Sequence, residues 1–223
     1  MSRPLLITDC DEVLLHMVTH FGAWLSEAHQ LDFNPEGGNF YAATRRQSDG
    51  SMFPDEELWP LLNHFFGDQM HRQTLVPHAA EALEAIGEVA DIVVLTNILE
   101  QWHAGRVAQL ASHGIHHRVV CNQGGKGTPV AALLEEFQPT AAVFVDDLWP
   151  HHESVAKHAP SVWRLHMVSE PTLAGTIPPA RDADARIDDW NEARDWILAR
   201  FADGPRAAAD PLTSPALPTK ETL

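Results

Sequence analysis

Short apolar runs alternate along the chain with longer segments of helical periodicity. The runs predict buried strands at Leu5–Thr8, 91–95, Arg118–Cys121, 141–145 and 162–165. Between the later runs, apolar residues recur at helical spacing over residues 77–88, 99–113, 129–137 and 151–158. Strands that alternate with helices indicate an α/β protein with a Rossmann-like parallel sheet flanked by helices.

The stretch between the first and second predicted strands is longer than a single crossover helix requires. It contains the amphipathic segment Val18–His29, a Gly- and Asn-rich stretch over residues 34–51, and a Pro-Asp-Glu-Glu helix start at Pro54. We therefore predict a small helical cap over residues 16–76, inserted after the first strand.

The inserted cap divides the chain into three predicted parts. Residues 1–15 and 77–201 form the core domain, which ends in a closing helix over residues 185–201. Residues 202–223 combine Pro, Ala, Asp and Thr with little periodic hydrophobicity, so we predict a disordered C-terminal tail there.

Composition and charge narrow the range of partners. The chain has 223 residues, 44% of them hydrophobic, with 15 Lys and Arg against 31 Asp and Glu, for a formal charge of −16. This charge repels phosphate backbones and anionic lipid, so we expect neither nucleic acid nor a membrane as a partner. No apolar run approaches the roughly 20 residues that span a bilayer, and we expect a cytoplasmic protein. The sequence leaves the oligomeric state open.

Carboxylates follow two of the predicted strands. Asp9 and Asp11 come directly after the first strand, and Asp146 and Asp147 follow the fourth. Because the carboxyl ends of parallel strands meet at one edge of a sheet, we expect these acids to lie close together. Their mutual repulsion favours a bound divalent cation, and an all-oxygen ligand set favours Mg²⁺.

Two further strand ends carry groups that suit a phosphate. Thr96 and Asn97 follow the second strand, and a hydroxyl with backbone amides before a helix is a typical anion-binding arrangement. Lys126 lies in the glycine-rich loop 122–129, at the start of another predicted helix. Lysine is scarce in this chain, so one in a glycine loop beside an acidic site favours a functional role.

These fragments occur in a particular order: Asp-x-Asp-x-Val, then Thr, then Lys, then Asp-Asp, each after a strand. In this order and spacing the chain resembles the haloacid dehalogenase (HAD) superfamily of phosphatases. The resemblance implies a Rossmann-like core with a mobile cap, dependence on magnesium, and phosphoryl transfer through an aspartyl-phosphate. The implied substrate is a small phosphorylated metabolite.

The resemblance also implies a role for each acid. Asp9 would be the nucleophile and bind Mg²⁺ through its other oxygen. Asp11 would be the general acid and base, with its backbone carbonyl bound to the metal. Asp147 would be a direct metal ligand, and Asp146 a ligand either directly or through water.

The remaining implied roles concern the phosphate. Thr96 and the amide of Asn97 would hold the phosphoryl oxygens, and Lys126 would neutralise charge on the nucleophile and the phosphate. Because the dehalogenase branch lacks the second aspartate, Asp11 favours phosphate esters over carbon–halogen bonds. A phosphomutase or dehalogenase on the same scaffold, and a non-catalytic binding or regulatory protein, stay open as alternatives.

One residue departs from the family pattern. The family usually has glycine after the second aspartate, where this chain has Glu12. Glu12 is expected either to place a carboxylate near the entrance of the site, which disfavours highly anionic substrates, or to point to solvent. His16 follows shortly after and is expected either to touch the substrate or to lie on the surface.

Overall fold

The computed structural model of the chain describes residues 2–207. The greater part of the predicted tail, residues 208–223, lies outside the described residues. The last helix includes the first two residues of that predicted tail, because it ends at Asp203.

The central feature is a parallel sheet of six strands, in the order β10-β9-β8-β1-β6-β7. The strands of the chain are β1 (Leu5–Thr8), β2 (Leu15–His16), β3 (Leu31–Phe33), β4 (Thr44–Arg46), β5 (Thr74–Leu75), β6 (Asp91–Thr96), β7 (Arg118–Cys121), β8 (Ala142–Asp146), β9 (Trp163–His166) and β10 (Ala185–Arg186). The predicted parallel sheet is confirmed.

Helices connect the strands and cover the sheet. They are α1 (Val18–His29), α2 (Asp55–His64), α3 (Ala79–Gly87), α4 (His103–Ser112), α5 (Gly127–Phe137), α6 (Trp149–His158), α7 (Pro171–Ala174) and α8 (Trp190–Asp203). None of the helices described between residues 2 and 207 is long and apolar enough to cross a membrane.

The strand residues are apolar on both faces because both faces are covered. Leu6 faces one hydrophobic cluster, together with residues of α3, α4 and α8. Its neighbours Leu5 and Ile7 face the opposite cluster, together with residues of α5 and α6. Successive strand side chains point to opposite faces, so an uninterrupted apolar run is what a doubly covered strand requires.

The last helix begins later than the sequence predicts. Residues 185–201 were expected to be one helix, but Ala185 pairs in parallel with Leu165 and adds β10 as the edge strand. The helix begins at Trp190 because the Asp189 carboxylate accepts hydrogen bonds from the backbone N–H groups of Asn191 and Glu192, at 2.9 and 3.1 Å.

Residues 16–76, the predicted cap, contain the two helices α1 and α2, as predicted, and also strands that the sequence analysis missed. β3 and β4 form an antiparallel pair within it. β2 and β5 pair in antiparallel fashion where the chain leaves and rejoins the sheet. These strands are two or three residues long, too short for a periodic pattern to be visible.

Aromatic residues of the insertion pack on one another. Phe21 and Phe65 are buried, with ring centroids 5.4 Å apart. Ile98 and Val168, from loops at the carboxyl edge of the sheet, belong to the same apolar cluster. The insertion therefore packs over the edge where the predicted site residues lie. Its division from the core as a separate, mobile domain stays a prediction.

Candidate active site

The site lies where the central strands of the sheet end. β1 is flanked by β6 and β8, so the residues that follow these three strands are brought side by side. The backbone N–H of Asp9 donates to the carbonyl of Val145 at 2.8 Å, which fixes Asp9 beside the end of β8. One oxygen from each of Asp9, Asp146 and Asp147 lies within 4.8 Å of the others.

Lys126 joins two of these acids. Its Nζ lies 2.7 Å from Asp9 Oδ1 and 2.7 Å from Asp146 Oδ2, and its side chain is fully buried. Burial by itself would lower the pKa of Lys126, but the carboxylates of Asp146 and Asp9 outweigh it and raise the pKa above its usual value. Lys126 therefore stays charged at the centre of the site.

The position of Lys126 depends on its neighbour Gly127. A Cβ at Gly127 would lie 2.2 Å from the backbone oxygen of Ser154 in α6, closer than any side chain tolerates. The N–H of Gly127 also donates to Ser154 Oγ at 3.0 Å. Glycine at this position lets α5 begin against α6, and this close packing carries Lys126 to the acids.

The acids exceed the positive charge that Lys126 supplies. The pKa of Asp9 is raised to about 7, mainly by burial; the charge of Lys126 opposes this shift, and the charges of Asp146 and Asp11 contribute to it. Burial and the charges of Asp146 and Asp9 also raise the pKa of Asp147 well above its usual value. A divalent cation would relieve this repulsion, and three carboxylates are ligands that hard cations such as Mg²⁺ prefer. The residues present therefore fit such a metal.

Asp146 and Asp147 differ in how their carboxylates are used. Both oxygens of Asp146 have partners, since Oδ2 contacts Lys126 and Oδ1 accepts the N–H of Leu148 at 2.9 Å. Asp147 instead uses its backbone carbonyl, which accepts a hydrogen bond from His166 Nε2 at 2.8 Å. Of the two, Asp147 is the better placed to offer a carboxylate oxygen to a cation.

Thr96 is the last residue of β6, and Asn97 follows it at the same edge of the sheet. Thr96 is fully buried, and its hydroxyl has no hydrogen-bond partner among the described residues. The Asn97 side chain donates to the carbonyl of Gly124 at 2.9 Å and accepts from Asn122 at 2.9 Å, which ties it to the Lys126 loop. A buried hydroxyl without a partner is suited to a ligand oxygen.

Asp11 is the predicted site residue whose carboxylate the structure does not place in the acid cluster. Both of its oxygens accept hydrogen bonds from Nη2 of Arg106, at 3.0 Å each, and Oδ1 also accepts from Gln73 at 2.7 Å. The Arg106 side chain is fully buried. Its Nη1 donates to the thiol sulfur of Cys10 at 3.0 Å.

Sequence reasoning missed Arg106 and Gln73. Arg106 lies on the inner face of α4, four residues before the buried Leu110, with its guanidinium 5.5 Å from the Phe66 ring centroid. A charged residue on the apolar face of a predicted helix was the available signal, because such a residue needs a buried counter-charge. Gln73 lies in an irregular segment and carried no such signal.

Comparisons with known proteins address the fold. No protein-family model and no curated protein matches the chain. A HAD-like family hydrolase from Streptococcus pneumoniae superposes with a TM-score of 0.60 at 12% identity, covering 86% of this chain and 97% of that chain. A HAD-superfamily hydrolase of subfamily IA from Geobacter sulfurreducens gives 0.55 at 18% identity, covering 87% and 96%.

A third similar structure contains a metal. YfnB from Bacillus subtilis, assigned to the HAD hydrolases and solved bound to magnesium, gives a TM-score of 0.60 at 11% identity, covering 88% of this chain and 99% of that chain. The chain has the haloacid dehalogenase-like fold. At these identities the likeness concerns the arrangement of the chain.

In this HAD-like fold, Glu12 occupies the position where the family pattern led us to expect glycine. Its backbone has a φ of 60°, a left-handed conformation that favours glycine. Glu12 keeps it because Oε1 accepts the N–H groups of Met17 and Val18, at 2.7 and 2.6 Å, which caps the start of α1.

The expectation that Glu12 points to solvent was therefore wrong, because the residue is only 3% exposed. A carboxylate near the entrance of the site stays a prediction. Burial raises the pKa of Glu12 to about 7; the two amide hydrogen bonds oppose this shift, and the charges of Glu170 and Asp11 add to it. His16 lies beside it with its side chain 16% exposed, which places it away from the open surface.

Proposed function

We propose that the chain is a member of the HAD superfamily and a magnesium-dependent phosphatase that hydrolyses a small phosphomonoester through an aspartyl-phosphate. The observation that carries this proposal is the buried Lys126, which contacts both Asp9 and Asp146 beside the carboxylate of Asp147. A buried ammonium among an excess of acids supports a site that receives a cation and an anionic group together.

The residues suggest a division of the chemistry into two steps. A carboxylate oxygen of Asp9 attacks phosphorus, and the bond from phosphorus to the ester oxygen breaks. Lys126 and the Thr96 hydroxyl then stabilise the negative charge on the transferring group. Water next attacks the phosphorus of the acyl phosphate, which releases phosphate and restores Asp9. Mg²⁺ bound by Asp9 and Asp147 would supply further charge neutralisation.

Proton transfer by Asp11 requires a change at its ion pair. Both Asp11 oxygens accept from Arg106, so at least one of these hydrogen bonds must break before Asp11 can take up a proton and, as a carboxylic acid, give it to a leaving oxygen. This observation favours a second candidate function: a non-catalytic HAD-like protein that binds a phosphorylated ligand without turnover. The cytoplasmic location stays a prediction.

A direct test is hydrolysis of p-nitrophenyl phosphate by the full chain, with Mg²⁺ and with EDTA. We expect magnesium-dependent release of p-nitrophenol, and a fall of about 10⁴-fold or more in Asp9→Asn, since loss of a nucleophile removes the covalent route. Asp195→Asn is the matched control, because Asp195 is an exposed acid on α8.

Two outcomes separate the candidate functions. Activity that persists in Asp9→Asn would contradict the aspartyl-phosphate. No release from this substrate or from a panel of small phosphomonoesters, together with a magnesium-dependent rise in the melting temperature, would favour the binding protein.

A further inference from the structure

A second group of potential metal ligands lies beside the proposed active site. Glu12 from the turn after β1, His16 from β2 and Glu170 from the loop after β9 each offer one ligand atom, and these atoms lie within 4.8 Å of one another. The group shares no residue with the cluster of Asp9, Asp146 and Asp147.

Two ligand atoms in this group are buried and lack partners. Glu12 is only 3% exposed, and its Oε2 has no hydrogen-bond partner among the described residues. The His16 Nδ1 is likewise buried without one. Buried polar atoms in proteins nearly always have a partner, so two such atoms in one cluster favour a site that receives a ligand.

The remaining contacts hold the carboxylates in place. Glu12 is fixed through Oε1 by the two backbone amides at the start of α1, which leaves Oε2 for another partner. Glu170 accepts from Thr19 Oγ1 at 2.6 Å and from Thr172 Oγ1 at 3.0 Å. Hydrogen bonds of this kind orient ligating carboxylates around metal ions.

The distances suit a shared ion better than a direct contact. His16 Nδ1 lies 3.7 Å from Glu170 Oε2, too far for a hydrogen bond. Two ligands at about 2.0–2.2 Å from one tetrahedral ion are separated by roughly 3.4 Å. No lysine or arginine within residues 2–207 forms an ion pair with either glutamate, so the two carboxylates lack a strong cation.

We propose that Glu12, His16 and Glu170 form a binding site for a divalent first-row transition-metal ion such as Mn²⁺ or Zn²⁺. One imidazole with two carboxylates selects such ions over Mg²⁺, which prefers oxygen ligands alone. The ion connects the turn after β1, the start of the insertion and the loop after β9. It therefore fastens the insertion to the sheet, and this role does not depend on the proposed phosphatase activity.

The test counts Mn²⁺ ions bound to the full chain by electron paramagnetic resonance, with and without excess Mg²⁺. We expect wild type to bind two Mn²⁺, of which excess Mg²⁺ displaces the one held by Asp9, Asp146 and Asp147. The second ion, which Mg²⁺ does not displace, is the Mg²⁺-resistant ion. His16→Asn is expected to weaken the binding of this ion by at least about 100-fold, since losing even a hydrogen-bond partner of a ligand costs roughly 10- to 100-fold in metal affinity.

Three further variants sharpen the assignment. Glu170→Gln keeps the shape of the side chain and should also lose the Mg²⁺-resistant ion, whereas Asp147→Asn should lose only the displaceable one. His20→Asn is the matched control, because His20 lies in α1, four residues after His16, and hydrogen-bonds Thr74 instead. With Mg²⁺ present, Mn²⁺ should raise the melting temperature of wild type and of His20→Asn, but not of His16→Asn.

The proposal is overturned if wild type binds a single Mn²⁺ that Asp147→Asn removes. It is also overturned if folded His16→Asn and Glu170→Gln proteins keep the Mg²⁺-resistant ion, or if His20→Asn loses it. An inactive protein that still binds this ion would contradict the proposed phosphatase while supporting the second metal site.

Discussion

Asp9 and Asp11 lie two residues apart, yet the charges around them are arranged in different ways. Lys126 is shared between Asp9 and Asp146 while Asp147 stands beside them, so negative charge remains in excess. Asp11 instead forms an ion pair with Arg106, which donates hydrogen bonds to both of its carboxylate oxygens. Unbalanced charge suits a site that receives a cation, whereas a balanced ion pair in which both carboxylate oxygens are bonded suits a fixed structural contact.

The strongest test of the charges around Asp9 is the replacement of Lys126. We expect Lys126→Met to lower the free energy of unfolding by about 3–5 kcal/mol in EDTA, because it leaves buried acids without a counter-charge. Lys157→Met, at an exposed lysine of α6, is the control and should change little. The measurement is urea unfolding; equal stability of the two variants would show that the acids do not depend on Lys126.

Replacing Arg106, the cation that pairs with Asp11, should lower the free energy of unfolding somewhat less. We expect Arg106→Met to lower the free energy of unfolding by about 2–3 kcal/mol, because the Asp11 side chain is 16% exposed and keeps some contact with water. The double variant Arg106→Met, Asp11→Leu should regain part of this loss, since no charge is left unpaired.

The control for Arg106 is the exposed ion pair of Arg118 with Glu136. Arg118→Met should change the free energy of unfolding by less than about 1 kcal/mol. If Arg106→Met is as mild as this control, the buried pair is not the structural contact that we infer.

Substitutions of Glu12 test the turn after β1, which directly follows Asp9 and Asp11. Glu12→Ala should lower the free energy of unfolding by about 1–2 kcal/mol, because it removes the cap of α1 while the strain of a Cβ at a φ of 60° stays as in wild type. Glu12→Gly should be milder, since glycine adopts this backbone without strain. Thermal unfolding in EDTA compares the two; a more stable alanine variant would contradict this account.

The last test is a pH dependence at His166, whose ring bonds the backbone of Asp147. Burial lowers the pKa of His166 from 6.5 to about 4, so the folded protein favours the neutral ring. Its contribution to stability is present above pH 6.5 and is lost as pH falls towards 4, because the unfolded chain takes up the proton first.

The His166 prediction is checked by comparison with His166→Gln. The difference in unfolding free energy between wild type and this variant should shrink as pH falls from 7 to 5. A difference that stays constant over this range would mean that the ring does not change its protonation on unfolding.

The sequence by itself determined the parallel sheet and the set of groups at its edge. Continuous apolar runs such as Leu5–Thr8, alternating with helical segments, indicate strands covered on both faces, and parallel strands bring their carboxyl ends together. For that reason Asp9, Lys126 and Asp146 could be placed side by side from their positions after strands, before any contact was known.

Only the tertiary structure decided which charged groups become partners. Arg106 is 95 residues from Asp11, and Glu170 is more than 150 residues from His16, so no local pattern relates them. Their pairing depends on how α4 and the loop after β9 pack against the turn after β1. Local spacing determines the elements, but the burial that selects each counter-charge exists only once those elements have packed.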